Sequence, residues 1–499
     1  MFEKPDQLVR LLSFGDDQPN EQLGSLIPKS VREAEAHRNR RRSVRRVASF
    51  FTSAVLSIGA IGAFAFAAIS GYGYVSATEQ IAAPTVTIVD PDTFKEVSLS
   101  YGPQVALSQK NFFTETRDAF VDEKLSFIEI DLDSKMLRYF EDGVLVLSTE
   151  ILALGEKGSW WDAPSGLYQV DSSAESEFST IAQAEFPWAV IFEGNYMIHG
   201  WPRYPGGTPV ADTFAGGGIR IDDEKAEVLY DAVKKNLPVL VHQKPRDVDQ
   251  FVYEPTVPNI DTQHYLIADI ENGAILAASD LDQAVPIASL TKLMTAVVTA
   301  ERLDLDSRVQ VSSPSFVQSL IPRLQDRSSV SMYSLLQLLL VESSNEAAEV
   351  IAGEYGREDF ITEMNTKATK LGMSSTKFVD PSGLGSGNVS SLGDLYRLSE
   401  YIHDNRTFIF DITANGKVST IEGLNEFSGL VNFNTVEDVD SFVGGKVGET
   451  NAAGQTSVSL HKIKIQGQDR IVVIILLGSA HRNDDVKLLI DFVQSRFDR

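Results

Sequence analysis

The sequence predicts a multidomain chain: a single N-terminal transmembrane helix, then a mainly-β domain, then an α/β (α+β) domain with an antiparallel sheet and a helical subdomain. Three observations predict it. At 499 residues the chain is too long for one hydrophobic core. An uncharged stretch from Val47 to Thr78 follows directly on an arginine cluster. Past residue 262 the apolar pattern changes from two-residue alternation to a mixture of strands and amphipathic helices.

Composition removes several classes of function. There is no cysteine, which excludes disulfides, thiolate metal sites and cysteine nucleophiles together. The seven histidines stand singly, without the spacing of a zinc-binding helix, so neither a metal nor another cofactor is expected. A net charge of −25 argues against a nucleic-acid partner.

That charge is unevenly placed. The run "HRNRRRSVRR" crowds Arg38, Arg40, Arg41, Arg42, Arg45 and Arg46 directly before the apolar stretch. Residues 47–70 supply about 24 mostly apolar residues, enough to cross a hydrocarbon core of about 30 Å. Arginines before and acidic residues after place residues 1–46 in the cytoplasm as a basic tail, free to meet a partner its sequence does not name. A cleaved signal peptide would need a far longer n-region than the usual type. An uncleaved signal anchor is therefore expected, with membrane contact through residues 47–70.

Residues 71–123 mix proline, threonine, serine and glutamine with weak periodicity and read as a stalk or adaptor. From Leu125, "LSFIEIDLDSKMLRYFEDGVLVLSTEIL" alternates as strands do, with "EDG" as a hairpin turn. "GLYQV" and "AVIFEGNYMIHG" continue as short strands. The result is a mainly-β domain over 124–243 that holds all four tryptophans, Trp160, Trp161, Trp188 and Trp201. Residues 244–262 carry prolines without periodicity and read as a linker. The last domain, 263–499, opens with the strand-turn-strand "HYLIADIENGAILAASD". Helices follow in "SLTKLMTAVVTAERL" and in "SMYSLLQLLLVESSNEAAEVIAGEYG", the latter broken in two at "ESSN". Strands "VSLHKIKIQ" and "RIVVIILLGS" and the amphipathic helix "DDVKLLIDFVQSRF" close it.

Within this domain "PIASLTKLMTA" sets Ser289 three residues before Lys292, so the two side chains share a face at the start of a helix. A serine hydroxyl is a weak nucleophile until a base takes its proton. A lysine can do so when burial or a neighbouring cation lowers its pKa. Alone, this S-x-x-K spacing is no more than an ordinary helix start. Two further motifs follow in order: Ser343 and Asn345 in "VESSNEAAEV", an S-x-N, and Lys446 and Gly448 in "FVGGKVGETNAAGQT", close to K-T-G. The trio in this order is that of the penicillin-recognising serine acyl-transferases.

With its flanks "LLLVESSNEAAEVIA", "LGMSSTKFVDPSGL" and "GKVGETNAAG", the chain over about 263–499 resembles the D-alanyl-D-alanine carboxypeptidases of the low-molecular-mass penicillin-binding proteins. The resemblance implies the penicillin-binding/β-lactamase-like transpeptidase fold. It implies Ser289 as the acylated nucleophile and Lys292 as its base. Ser343 would relay a proton toward the leaving D-alanine, Asn345 would hold the substrate amide, and Lys446 would sustain a positive field. The backbone N–H groups of Ser289 and of Glu449, beside Gly448, would form the oxyanion hole. Thr450 and Arg482 stand where a free C-terminal carboxylate would be gripped. One position departs from the pattern: Val447 replaces the hydroxyl residue of K-T-G.

In the mainly-β domain, "MIHGWPRYPGGTPVADTFAGGGIRIDDEKAEVLYDAV" is similar to the active-site segment of the L,D-transpeptidases, H-G followed by S-x-G-C-[IV]-R before a helix. His199, Gly200, Gly217, Ile219 and Arg220 match, as do the preceding hairpins and "DAPSGLYQV", across about residues 124–243. The cysteine position is Gly218, and the histidine that often sits two residues before it is Gly216. That chemistry needs a thiolate. The resemblance therefore implies a degenerate site of His199, Gly216, Gly217, Gly218 and Arg220 without a nucleophile. Such a domain would be a groove that still binds stem peptides through Arg220 and the tryptophans, or a spacer.

Taken together, these readings lead to the expectation of a cell-wall enzyme of the bacterial cytoplasmic membrane, single-pass, with its folded domains outside the cytoplasm. Its partners would be peptidoglycan stem peptides, trimmed of their terminal D-alanine, and β-lactams as inhibitors. The alternatives are a D,D-endopeptidase cutting cross-links and a catalytically silent peptidoglycan-binding protein.

Overall fold

Two sheets organise the chain, one for each run of strand-like sequence. The computed structural model describes residues 87–497 apart from 90–95, 213, 215, 246–250, 255, 313–316, 416–425 and 437. Among the described residues no helix is long and apolar enough to cross a membrane. The longest, Arg482–Phe497, has 16 residues, about 24 Å of helix against the about 30 Å required, and charges run along it. The expected fold class is corrected in that respect. No membrane-spanning helix is part of the described fold, and residues 47–70 and the tail 1–46 lie outside it.

In the first domain Phe127–Asp131, Met136–Glu141 and Val144–Glu150 form an antiparallel meander. Asp142 and Gly143 both take positive φ, 49° and 77°, as a type I′ hairpin turn requires. Pro238–His242 joins parallel to Phe127–Asp131 and antiparallel to the long strand Gly166–Ser179. That strand carries the sheet on through Ala184–Phe192, Tyr196–His199, Ile219–Arg220 and Ala153–Leu154 and also pairs with the short strand Gly102–Pro103, ten strands among the described residues.

The segment read as a stalk holds a helix, Lys110–Asp122, with Phe112, Phe113, Thr116 and Phe120 buried. The three phenylalanines pack against Phe127, Phe140 and Leu240 of the sheet. The readable signal is the i, i+4, i+8 spacing of residues 112, 116 and 120, embedded in a polar run that hides it.

The second domain is built on a five-stranded antiparallel sheet in the order Ala274–Ala278, His264–Asp269, Gln468–Ser479, Gly454–Ile465, Phe442–Thr450. Both faces are covered, which is why "RIVVIILLGS" is apolar on both sides. Val473, Ile475 and Leu477 face the helical subdomain, whereas Ile474 and Leu476 face the helix Arg482–Phe497. Phe251 and Tyr253, within 244–262, pack on this second face. At the centre of the helical subdomain lies Thr291–Arg302, buried from Thr291 to Glu301.

The two domains share one core. Trp160 and Trp161 belong to the same buried cluster as Leu293, Leu336 and Phe408 of the second domain. Trp160 is 1 % exposed and its ring lies 5.7 Å from Tyr333 and 5.2 Å from Phe408. Beside it the buried Arg406 guanidinium donates to the Asp162 carbonyl at 2.8 Å and to the Tyr196 hydroxyl, and stands 3.4 Å from Glu301. Lys367 reaches Glu301 at 2.6 Å. Burial alone would raise the Glu301 carboxyl, but Lys367 and Arg406 overcome it and hold it below the usual range. A buried ion without such partners would cost several kcal/mol, of order 3–5 when one partner is removed.

Candidate active site

Ser289 sits in the short 3-10 turn Ala288–Leu290 that runs into the helix Thr291–Arg302. One turn on, Lys292 Nζ lies 3.0 Å from Ser289 Oγ and 2.7 Å from Asn345 Oδ1, and it reaches the Ser382 carbonyl. In the neutral amine, those two carbonyl oxygens take both N–H groups and leave the lone pair to the Ser289 hydroxyl. Lys292 is fully buried, and burial lowers its pKa to about 7, with the Asp380 carboxylate opposing the shift only in part. Near neutral pH a large share of it is a base.

Asn345 opens the helix Asn345–Tyr355, whose cap Ser344 accepts from the Ala347 N–H at 3.2 Å. Its amide is aimed by the Gln318 carbonyl, 2.6 Å from Nδ2, while its backbone N–H donates to Ser319 Oγ at 3.1 Å. The break at "ESSN" puts Ser343 at φ 56°. Below, Asp380 gathers N–H groups of Ser382, Gly383 and Gly385 at 2.7–2.9 Å. Burial raises its carboxyl, but these hydrogen bonds prevail and hold it below the usual range. They also fix the turn that presents the Ser382 carbonyl to Lys292.

The strand Phe442–Thr450 closes the other side. Lys446 is buried, with Nζ donating to the Val447 carbonyl at 2.9 Å and to Asn434 Oδ1 at 3.3 Å. Burial pushes its pKa well down, and the neighbouring Lys292 and Arg482 add to the shift. Gly448 is required by close approach: a Cβ there would stand 2.6 Å from the Ser289 nitrogen and 3.0 Å from Ala288 Cβ. Arg482 Nη1 donates to the Gly448 carbonyl at 3.2 Å, and Thr450 Oγ1 accepts from the Ala453 N–H at 3.1 Å.

A cavity of about 390 Å³ results, lined by Ser289, Ser343, Asn345, Gly448, Glu449, Thr450 and Arg482, with Gln318, Ser319 and Val447 among their neighbours. Lys292 and Lys446 lie buried beside it. The residues singled out by the three motifs are therefore brought to one place. Gln318, Ser319, Asp380 and Asn434 escaped the sequence reading. Asp380 stands in the quoted "FVDPSGL", whereas Asn434 reaches Lys446 from a loop with no motif.

Val447 lines the cavity and gives its backbone N–H to Asn434 Oδ1 at 3.1 Å. Val447→Thr is expected to raise the penicillin acylation rate roughly tenfold, if about 1.4 kcal/mol of transition-state contact is restored. Stopped-flow acylation measures it. An unchanged rate would mean that Thr450 or Arg482 already supplies that contact.

The degenerate site lies apart and is narrow among the described residues. His199, Gly216, Gly218 and Arg220 line a space of about 10 Å³, room for about one water molecule. Gly218 holds φ 93°, and a Cβ there would stand 2.5 Å from the Met197 carbonyl oxygen. A Cβ on Gly217 would fall 2.0 Å from Phe186 Cε1. Burial lowers the pKa of His199 to about 4, so the ring is neutral, with Nδ1–H donating to the Gly200 carbonyl at 2.6 Å. Arg220 stacks 4.1 Å over the Trp201 ring. With Trp160 and Trp161 committed to the shared core, the space among the described residues is too small for a stem peptide.

Gly218→Cys should therefore show no L,D-transpeptidase or L,D-carboxypeptidase turnover on tetrapeptide stems. The forced positive φ alone should cost about 1–3 kcal/mol of stability, visible in a thermal scan. Turnover by this variant would contradict the narrow geometry.

Two family descriptions match the chain over separate spans. The family described as D-alanyl-D-alanine carboxypeptidase matches residues 251–478, and the L,D-transpeptidase catalytic domain matches residues 126–241. A D-alanyl-D-alanine endopeptidase of Pseudomonas aeruginosa is 40 % identical over 138 residues, 27 % of this chain and 44 % of its own length. A D-alanyl-D-alanine carboxypeptidase of Mycobacterium tuberculosis is 30 % identical over 227 residues, 44 % of this chain and 77 % of its own. The chain thus spans less than half of the first relative and more than two thirds of the second. Among solved structures, penicillin-binding protein D2 of Listeria monocytogenes in its cefotaxime-bound form aligns with a TM-score of 0.42 at 29 % identity, over 47 % of this chain and 98 % of that one. The matched span 251–478 contains Ser289, Lys292, Ser343, Asn345 and Lys446, and the chain, behind an L,D-transpeptidase-like domain, belongs to the D-alanyl-D-alanine carboxypeptidase family.

Proposed function

We propose that the protein is a serine D,D-peptidase of bacterial peptidoglycan that removes the terminal D-alanine from stem pentapeptides through an acyl-enzyme on Ser289. The supporting observation is the buried Lys292, its pKa near 7, lying 3.0 Å from Ser289 Oγ beside a cavity that also holds Thr450 and Arg482. Neutral Lys292 takes the Ser289 proton as Oγ attacks the carbonyl carbon of the penultimate D-alanine. Negative charge develops on the carbonyl oxygen toward the Ser289 and Glu449 N–H groups, in the space that Gly448 leaves free. The C–N bond breaks, the leaving amine receives a proton by way of Ser343, and Arg482 and Thr450 hold the departing carboxylate. Water then attacks the ester, with Lys292 again as base. β-Lactams would acylate the same oxygen. Because stem peptides lie outside the cytoplasm, the catalytic domain works on that side.

A second reading, a D,D-endopeptidase, is favoured by one observation: the 40 % identity to the endopeptidase exceeds the 30 % to the carboxypeptidase. The acylation chemistry is the same and only the leaving group differs. Mass-spectrometric product analysis on a pentapeptide stem and on a cross-linked dimer separates them. Release of one D-alanine from the pentapeptide is expected. Monomers formed from the dimer, with the pentapeptide untouched, would favour the endopeptidase. Neither product would leave a silent binding protein.

A further inference from the structure

The helix Thr291–Arg302 carries Lys292 in its first turn, directly after the 3-10 turn that holds Ser289, and its other end runs into the L,D-transpeptidase-like domain. There the strands Ala184–Phe192 and Tyr196–His199 are joined by Glu193, Gly194 and Asn195, and this turn meets the helix end. Asn195 Nδ2 donates to the carbonyls of Ala300 at 2.8 Å and Leu303 at 2.7 Å, and Oδ1 accepts from the Leu305 N–H at 3.0 Å. Two carbonyls and one N–H as partners leave only one orientation for the amide. The terminal carbonyls of a helix have no partner within it; here the neighbouring domain supplies one. Glu193 forms an ion pair with Arg302, the last residue of the helix, and Arg302 also reaches Glu363 at 2.8 Å. Glu193 and Gly194 take φ 48° and 78°, the positive values of a tight hairpin turn. Asp306, just beyond, accepts from the Thr180 hydroxyl and the Ile181 N–H of the same domain, both at 2.7 Å.

We propose that Asn195 is a positioning residue for Ser289 and Lys292, and that the domain without a nucleophile serves as the clamp on the far end of the catalytic helix. The inference rests on the Ser289 reading above. The helix is buried along nearly its whole length of about 18 Å, so it moves as a rod between its two attachments. A slide or rotation at the clamped end displaces Lys292 from Ser289, Asn345 and the Ser382 carbonyl. A misplacement of about 1 Å costs about a hundredfold in rate.

The test uses the full chain, as wild type, Asn195→Ala and Asn195→Asp. The aspartate keeps an acceptor for Leu305 but turns a carboxylate oxygen toward two carbonyls. Three quantities are measured well below the thermal transition: the second-order acylation constant for a fluorescent penicillin, its pH midpoint, and the thermal midpoint itself. Acylation is expected to fall about tenfold or more in Asn195→Ala and further in Asn195→Asp, with native circular dichroism. A lowered thermal midpoint with acylation constant and pH midpoint unchanged would overturn the proposal, because Asn195 would then be structural only. Should neither variant fold, hydrogen exchange on the wild type decides. Acylation of Ser289 should slow exchange at Leu303 and Leu305, and unaltered exchange there overturns the clamp. A wild type that is never acylated removes the Ser289 reading and the clamp with it. A wild type no faster than both variants removes the clamp alone.

Discussion

Replacing Lys292 by methionine should slow Ser289 acylation by about 10²–10⁴-fold, the usual contribution of a positioned general base. Lys292 is fully buried, and methionine has a similar length and no charge to bury. The exchange leaves the half-buried Asn345 side-chain oxygen and the buried Ser382 carbonyl without their donor, at about 1–3 kcal/mol for the buried one. The fold should survive that loss; the base does not. The pH dependence is the sharper readout. With its pKa lowered to about 7, Lys292 is protonated and unable to accept the Ser289 proton on the acid side of that value. Wild-type acylation should therefore rise as pH increases through about 7 and level off above it, and the residual rate of Lys292→Met should lack that step. Acylation of the variant at the wild-type rate would remove Lys292 from the mechanism.

The second large effect is on stability. Trp160→Ala should cost about 3–5 kcal/mol, as for other buried tryptophans, out of a total stability of about 5–15 kcal/mol. The ring is enclosed by Trp161, Tyr333 and Phe408, which come from both domains. Removing it opens a cavity at the joint, so the wild type should melt in one transition and the variant at lower temperature. A thermal scan in which the variant loses under about 1 kcal/mol, or in which the wild type shows two independent transitions, would mean that the domains do not share a cooperative core.

How far each element could be read from the sequence follows from the range of its interactions. Ser289 with Lys292, and Ser343 with Asn345, are local because covalent chemistry fixes residue types at short spacings, three along a helix and two across a turn. Asn434 has no such signature: it acts by folding back onto Lys446 and the Val447 N–H. The clustering of tryptophans was visible, but the destination of Trp160 in the core of another domain is tertiary information. The loss of the cysteine at Gly218 was equally visible. The narrowness of the space around it depends on Met197 and Phe186, and neither distance has a sequence signal. Arginines followed by apolar residues gave the transmembrane expectation from composition alone, and no helix among the described residues supports it.

Intact-mass spectrometry after incubation with a penicillin bears most directly on the acyl-enzyme at Ser289. One covalent adduct on the wild-type chain and none on Ser289→Ala is the expected result. A wild-type chain that stays unmodified at high drug concentration and long exposure, or a Ser289→Ala chain that carries the adduct, would contradict it.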